Sequence, residues 1–189
     1  ARYARMVAAR AAATAREAPA GPVHLNFPFR EPLIPSLNGV PGEAHGRAGE
    51  IGVMGAVRRF TPAELALLAE ELRHLRHGII VCGPQDDPAL APAVADLASA
   101  LGYPLLADPL SLTRCGPHDG SLVIDAYDAF LRDEATAERL LPDVILRFGA
   151  LPTSKPLSQF MQRHRGVRQI IVDDGEWPDP VHTASSVYH

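Results

Sequence analysis

From Thr61 onward, short unbroken apolar runs alternate with stretches in which apolar residues recur at helical spacing. Ile79-Ile80-Val81-Cys82, Leu105-Leu106-Ala107, Val144-Ile145-Leu146 and Ile170-Ile171-Val172 carry no polar alternation, the mark of strands buried on both faces. Between them the spacing predicts helices. Leu65, Leu68, Leu72 and Leu75 share one face, as do Leu90, Val94, Leu97 and Leu101; Ile124, Tyr127 and Phe130 repeat within 121–131, and a last helix covers 153–165. The boundaries carry their own chemistry. Thr61-Pro62-Ala63-Glu64 reads as a capping box with proline at the first helical position, and Gly78 is expected to stop that helix. Asp87-Pro88 starts the next one and Gly102 ends it. Apolar strands joined by helices predict an α/β fold, a parallel sheet covered on both faces. Such sheets take ligands at the carboxyl ends of their strands, here 83–87, 108–118, 149–155 and 173–176.

The chain before Thr61 has a different texture. Residues 1–18, with Arg2, Arg5, Arg10 and Arg16 among many alanines, predict an amphipathic helix, and Pro22 to Phe27 predicts a strand docked after it. The helix has a superficial likeness to a transit peptide; the missing initiator Met and the strand that follows argue instead for a chain cut from a longer one. Residues 28–60, with Pro28, Pro32, Pro35 and Pro41, predict an extended linker.

Composition narrows the function classes. A chain of 189 residues with 47% hydrophobic and 21% charged residues has room for one domain plus a fragment and is no disordered polymer. Its formal charge of −4, without a long basic run, excludes nucleic acid as a first expectation. No apolar stretch approaches the roughly 20 residues of a membrane span. Cys82 and Cys115 are too few for a disulfide framework, so reduced thiols and a cytoplasmic setting are expected. Neither has a histidine in fixed relation to it, and no nucleophilic role is assigned.

Candidate chemistry is sparse. No Gly-x-Gly-x-x-Gly follows the first strand, and no Gly-rich loop ends in Gly-Lys-Ser or Gly-Lys-Thr, so nucleotide binding is not signalled. Gly149-Ala150-Leu151-Pro152-Thr153-Ser154-Lys155 leads from a strand into a helix whose first residues are hydroxylated and basic; Lys155 and free backbone N–H groups can converge there on an anion such as a carboxylate, while the plainer reading is a cap and a solvated lysine. Arg114, in the loop after a strand, offers a guanidinium to a carboxylate ligand, with an ion pair to Asp108 or Asp119 as the simpler expectation. His74 and His77 have metal-compatible spacing but no third ligand; Asp86 and Asp87 pair carboxylates, of which Asp87 reads as a helix cap. Arg30 and Glu31, between prolines, are expected to fix the linker.

Four segments carry a resemblance: Val23-His24-Leu25-Asn26-Phe27-Pro28-Phe29-Arg30-Glu31-Pro32-Leu33, Asp108-Pro109-Leu110-Ser111-Leu112-Thr113-Arg114, Tyr127-Asp128-Ala129-Phe130-Leu131 and Pro152-Thr153-Ser154-Lys155-Pro156-Leu157. Together, in order and spanning residues 23 to 157, they resemble the MenD family of thiamine diphosphate enzymes. The resemblance implies a transferase of menaquinone biosynthesis that decarboxylates 2-oxoglutarate and adds the succinyl unit to isochorismate. It implies residues 1–27 as the last helix and strand of a pyrimidine-binding domain, 28–60 as linker, and 61–189 as a Rossmann-like, doubly wound central domain. It further implies thiamine diphosphate and Mg2+ in the whole enzyme, a homo-oligomer of that enzyme, and no catalytic or cofactor-binding residue in this stretch, which alone is expected to be inactive. Asp173-Asp174-Gly175-Glu176 only approximates a Gly-Asp-Gly metal and diphosphate motif and reads as a loop. In the family a basic residue at the position of Lys155 meets isochorismate, sometimes followed by an arginine; here Pro156 follows. Two other expectations stand beside this one: a ligand-binding or regulatory module in which Lys155 and Arg114 hold an aromatic acid, and a nucleotide-binding central domain.

Overall fold

A computed structural model of the chain describes residues 2–31, 33–34 and 51–189. Two compact units divide it, Ala1–Val57 and Arg58–His189. In the first, helix α1 spans Arg2–Arg16 and buries none of its residues. Residues 22–27, expected as a strand, form none; Val23, Leu25 and Phe27 are each more than a third exposed. Apolar alternation makes a strand only beside a partner that accepts its backbone hydrogen bonds, and no described residue of this unit forms a strand. The described part of 28–60 has no regular structure, and Pro32, Pro35 and Pro41 lie outside the described residues.

The second unit is a sheet wrapped by helices. Its elements are α2 (Pro62–Arg73), β1 (Gly78–Cys82), α3 (Leu90–Leu101), β2 (Leu105–Ala107), β3 (Val123–Ile124), α4 (Tyr127–Phe130), α5 (Glu134–Arg139), β4 (Val144–Phe148), α6 (Lys155–Arg163), β5 (Arg168–Val172) and β6 (Ser186–Tyr188). The six strands lie in the order β3-β2-β1-β4-β5-β6, and each neighbouring pair is parallel. This is the doubly wound order of the Rossmann fold, with its switch point between β1 and β4.

The unbroken apolar runs are explained by two cores. Ile80 and Cys82 of β1 join Val94 and Ala98 of α3, Leu105, Leu146 and Ile170 on one face. Val81 points the other way, to Leu106, Ile145, Tyr127 and the α6 residues Leu157, Phe160 and Met161. Successive strand residues therefore feed opposite cores, and no position is left for a polar side chain facing water.

Several boundaries differ from the expected ones for local reasons. The Thr61 capping box is present, with the Glu64 amide bonded to Thr61 Oγ1, but α2 ends at Arg73 with His74 as its cap. Gly78 is instead the first residue of β1, where a Cβ would lie 2.0 Å from the Tyr103 ring. Asp87 closes a turn onto the Ala89 amide at 2.9 Å, and α3 starts later, at Leu90. Gly102 caps α3 in the left-handed region, φ 67°. The expected helix over 121–131 is an edge strand, β3, followed by the single turn of α4; pairing with β2 overrides the helical spacing of Ile124. Strand β6 and helix α5 were not expected at all.

The largest fully buried side chain is a charged one, Arg147 of β4. It donates to Asp179 Oδ1 at 3.1 Å and to the Pro178 carbonyl at 2.7 Å, pinning the crossover between β5 and β6 to the sheet. Burial alone raises the Asp179 carboxyl; amide donors from Ala184 and Thr183, with Arg147, outweigh it and hold the group below its ordinary value. Removing one partner of a buried pair leaves the other uncompensated, so Asp179→Ala is expected to cost about 3–5 kcal/mol at neutral pH by urea denaturation. A depressed folded pKa gives stability that is full above the unfolded value, about 3.9, and lost as pH falls through the folded one. The gap between variant and parent therefore narrows in acid; a gap below about 1 kcal/mol at pH 7, or one that widens in acid, contradicts this account.

Candidate functional site

The carboxyl ends of the strands are where a doubly wound sheet offers a site, and here the switch point is closed by the chain itself. Gly83, just after β1, donates to the Phe148 carbonyl at 2.8 Å, and Ala150, just after β4, donates to the Pro84 carbonyl at 2.9 Å. A Cβ on Gly83 would stand 1.8 Å from the Ala150 carbonyl oxygen, and Gly149 takes φ 72° to make the turn. The crevice between these two loops, where such a fold would seat a dinucleotide, is stitched shut.

Polar groups instead gather one strand further out. Asp108, fully buried at the end of β2, accepts the Leu110 amide at 2.9 Å with one oxygen. Its other oxygen accepts the Thr153 amide at 2.8 Å and the Thr153 hydroxyl at 2.9 Å. The adjoining Ser111-Leu112-Thr113 turn is held by the buried contact of the Ser111 and Thr113 hydroxyls at 2.6 Å, which keeps Leu112 at φ 60°, a conformation unfavourable for a leucine. Asp128, in α4, accepts the Ser154 hydroxyl at 2.6 Å with Oδ1 and two nitrogens of Arg132 with Oδ2. These donors, Ser154 first and then Arg132, hold its carboxyl below the ordinary value. Ser154 is in turn the N-cap of α6, its hydroxyl accepting the Leu157 amide at 3.2 Å.

Lys155 therefore begins α6 immediately after two residues that are each clamped by a carboxylate. It is exposed, and among the described residues no hydrogen bond or ion pair engages its ammonium. A cation in the first turn opposes the helix macrodipole by several tenths of a kcal/mol, and α6 has no acidic residue there to offset it. Helix stability does not account for this lysine. It lines an open groove of about 600 Å³ together with Leu131, Arg132, Glu134 and Arg163. Arg132 is paired with Asp128 and Arg163 with Glu134, both at 2.7 Å, so Lys155 is the groove cation without a carboxylate partner.

The other expected groups are occupied elsewhere. Arg114 pairs with neither Asp108 nor Asp119: it donates to the Ala107 and Asp125 carbonyls at 3.0 and 3.3 Å. Asp108 is committed to Thr153, and Asp119 to the amide and hydroxyl of Ser121 at 2.9 Å each, which is why the ion pair does not form. His74 bonds Glu70, and His77 lies beside Asp143, so the two rings serve separate carboxylates. Arg30 and Glu31 are exposed. Burial, followed by the charge of Asp108, pushes the Tyr127 phenol up to about 12, leaving it protonated at neutral pH. Burial likewise pushes the Cys82 thiol up to about 12. The buried carboxylates Asp108 and Asp179 and the buried Arg147 escaped sequence reasoning, since their partners lie far away along the chain.

The loop after β5 does not fit a metal and diphosphate group. Asp173 Oδ1 accepts the amides of Gly175 and Glu176 at 3.0 and 2.6 Å, closing its own turn. Asp174 has its carboxyl raised by burial and then by the neighbouring charges of Asp173 and Asp86, a field that repels a phosphate. Among the described residues no three His, Cys, Asp or Glu side chains group as metal ligands. No step through thiamine diphosphate is assigned to residues of this chain.

Residues 57–189 match the family model described as the middle domain of thiamine pyrophosphate enzymes. The chain belongs to this middle-domain family. It is 54% identical over 179 residues to the 2-succinyl-5-enolpyruvyl-6-hydroxy-3-cyclohexene-1-carboxylate synthase of Geobacillus thermodenitrificans, covering 94% of this chain and 30% of that one. It is 46% identical over 188 residues to the synthase of the same name from Chloroflexus aurantiacus, covering 99% of this chain and 32% of that one. A solved structure described as a thiamin diphosphate-dependent enzyme from Mycobacterium smegmatis superposes with TM-score 0.55 at 22% identity, over 96% of this chain and 34% of that one, which supports the fold. The chain thus spans about a third of the length of the curated relatives it matches. The family resemblance read from the four segments is borne out by these relatives, and the middle-domain match agrees with the doubly wound sheet.

The environments of the two thiols give a direct check on the site's packing. Cys82 is buried at the end of β1, its sulfur 3.9 Å from the Ser111 carbonyl, whereas Cys115 is exposed. A thiol reagent at pH 8 is expected to modify one cysteine per chain quickly and the second only on unfolding; two fast thiols in the folded chain would mean that the Asp108 to Thr113 loop does not close over β1.

Proposed function

We propose that the chain is the central domain of a thiamine diphosphate- and Mg2+-dependent transferase that adds the succinyl unit of decarboxylated 2-oxoglutarate to isochorismate in menaquinone biosynthesis. In this reading residues 1–27 close a preceding pyrimidine-binding domain, 28–60 are the linker and 61–189 the central domain, within a cytoplasmic homo-oligomer whose other domains hold the cofactor. What this stretch contributes is a rigid layer and one positive charge, with Lys155 facing isochorismate.

The observation that carries the reading is the meeting of three resembling segments at one point. Asp108 from the first bonds Thr153, Asp128 from the second bonds Ser154, and both hydroxyls belong to the third, just before Lys155. Both contacts hold the start of α6, where Lys155 lies without a carboxylate partner. Isochorismate is a dianion, and an ammonium with no competing carboxylate partner suits one of its carboxylates at a worth of about 1 kcal/mol when partly exposed. Arg114, spent on two carbonyls, is left as a loop brace. The test is Lys155→Ala in the full-length synthase. Use of isochorismate is expected to weaken about tenfold, about 1.4 kcal/mol, with 2-oxoglutarate decarboxylation nearly intact; equal loss in both half-reactions would refute the assignment.

A further inference from the structure

We infer that Asp128 is a positioning residue for Lys155, setting both where α6 begins and which cation of the groove stays free. The inference rests on the reading of Lys155 as the isochorismate contact. Its own support is the division of labour between the two oxygens of one carboxylate. Oδ1 accepts the Ser154 hydroxyl at 2.6 Å, and Ser154 is the residue whose oxygen caps the Leu157 amide. The chain direction into Lys155 is thereby fixed from α4, an element that reaches α6 only through tertiary packing. Oδ2 accepts both Arg132 Nε at 3.0 Å and a terminal nitrogen at 2.7 Å, a single oxygen holding two nitrogens of a guanidinium that lines the same groove as Lys155.

The two bonds act together. Without Asp128, Arg132 is released as a second cation with a long side chain, and Ser154 loses the acceptor that orients its hydroxyl, so its oxygen no longer has a fixed lone pair aimed at the Leu157 amide. The start of α6 then samples other geometries, and a rival cation competes for the same anion. With Asp128 in place, the groove offers a single unpaired ammonium at one location. Asp108 performs the parallel task for Thr153 from the β2 side, but it is fully buried, and replacing it would disturb the fold. Asp128 sits at the surface, with its side chain 39% exposed, and can be removed with less structural cost.

The experiment is a double-mutant cycle in the full-length synthase, measuring KM for isochorismate and kcat separately for Asp128→Ala, Lys155→Ala and the pair. Asp128→Ala is expected to raise KM about fivefold in the parent enzyme and to raise it no further when Lys155 is already alanine. A merely structural role would lower the active fraction, and hence kcat, equally in both backgrounds. Ser154→Thr keeps a hydroxyl for Oδ1 and is expected to retain the parent KM, whereas Ser154→Ala is expected to follow Asp128→Ala. If the Asp128→Ala effect on KM persists undiminished beside Lys155→Ala, the positioning role is overturned and the reading of Lys155 stands. Should Lys155→Ala itself leave KM unmoved, the reading of Lys155 falls and the inference falls with it. A folding failure of Asp128→Ala leaves the decision to the two Ser154 variants, where equal KM values overturn the inference.

Discussion

The arrangement at the carboxyl edge of the sheet depends on one buried carboxyl group, that of Asp108. A carboxyl without water is costly unless donors surround it, and here two backbone amides and a hydroxyl supply them. One of those amides belongs to its own loop; the other donors belong to Thr153, on the far side of β1 in the sheet order. The group therefore bolts the exit of β2 to the approach of α6, and everything nearby inherits that geometry. The Ser111 to Thr113 turn folds beneath it, Cys82 is sealed under that turn, and Ser154 arrives within reach of Asp128.

A second set of contacts ties the switch point of the sheet. A doubly wound sheet offers a ligand crevice there only if the loops after the two diverging strands part. Here the loops after β1 and β4 are hydrogen-bonded to each other, and the close approach at Gly83 admits no side chain. The loops at the switch point are tied together, and the groove cation without a carboxylate partner lies instead at the start of α6.

How much of this was legible in the amino-acid order follows from range. The strands β1, β2, β4 and β5 were visible because each is a continuous apolar run, and a run that faces two cores needs nothing beyond its own composition to be recognised. The Thr61 capping box and the Gly102 cap were visible because their partners lie within a few residues. Arg147 was not, since a charged residue ends an apolar run on paper and its acceptors, the Pro178 carbonyl and Asp179, lie more than thirty positions away. The short edge strands β3 and β6 draw their order from a neighbour and carry little pattern of their own. At the site, Lys155 was legible by its place after a strand and by resemblance to a family, but the carboxylates that hold it were hidden by sequence separations of 45 and 26 residues. Arg114 shows the reverse error: nearby carboxylates invited an ion pair, but Asp108 is committed to Thr153 and Asp119 to Ser121.

In the proposed function Lys155, held by its neighbours Thr153 and Ser154 and free of a carboxylate partner, meets a carboxylate of isochorismate. The most direct measurement is a crystal structure of the full-length synthase with isochorismate bound. The account predicts the Lys155 ammonium within about 3 Å of a substrate carboxylate, with Thr153 and Ser154 still bonded to Asp108 and Asp128. A substrate bound with Lys155 left in open solvent, beyond about 6 Å and with no bridging water, would contradict it.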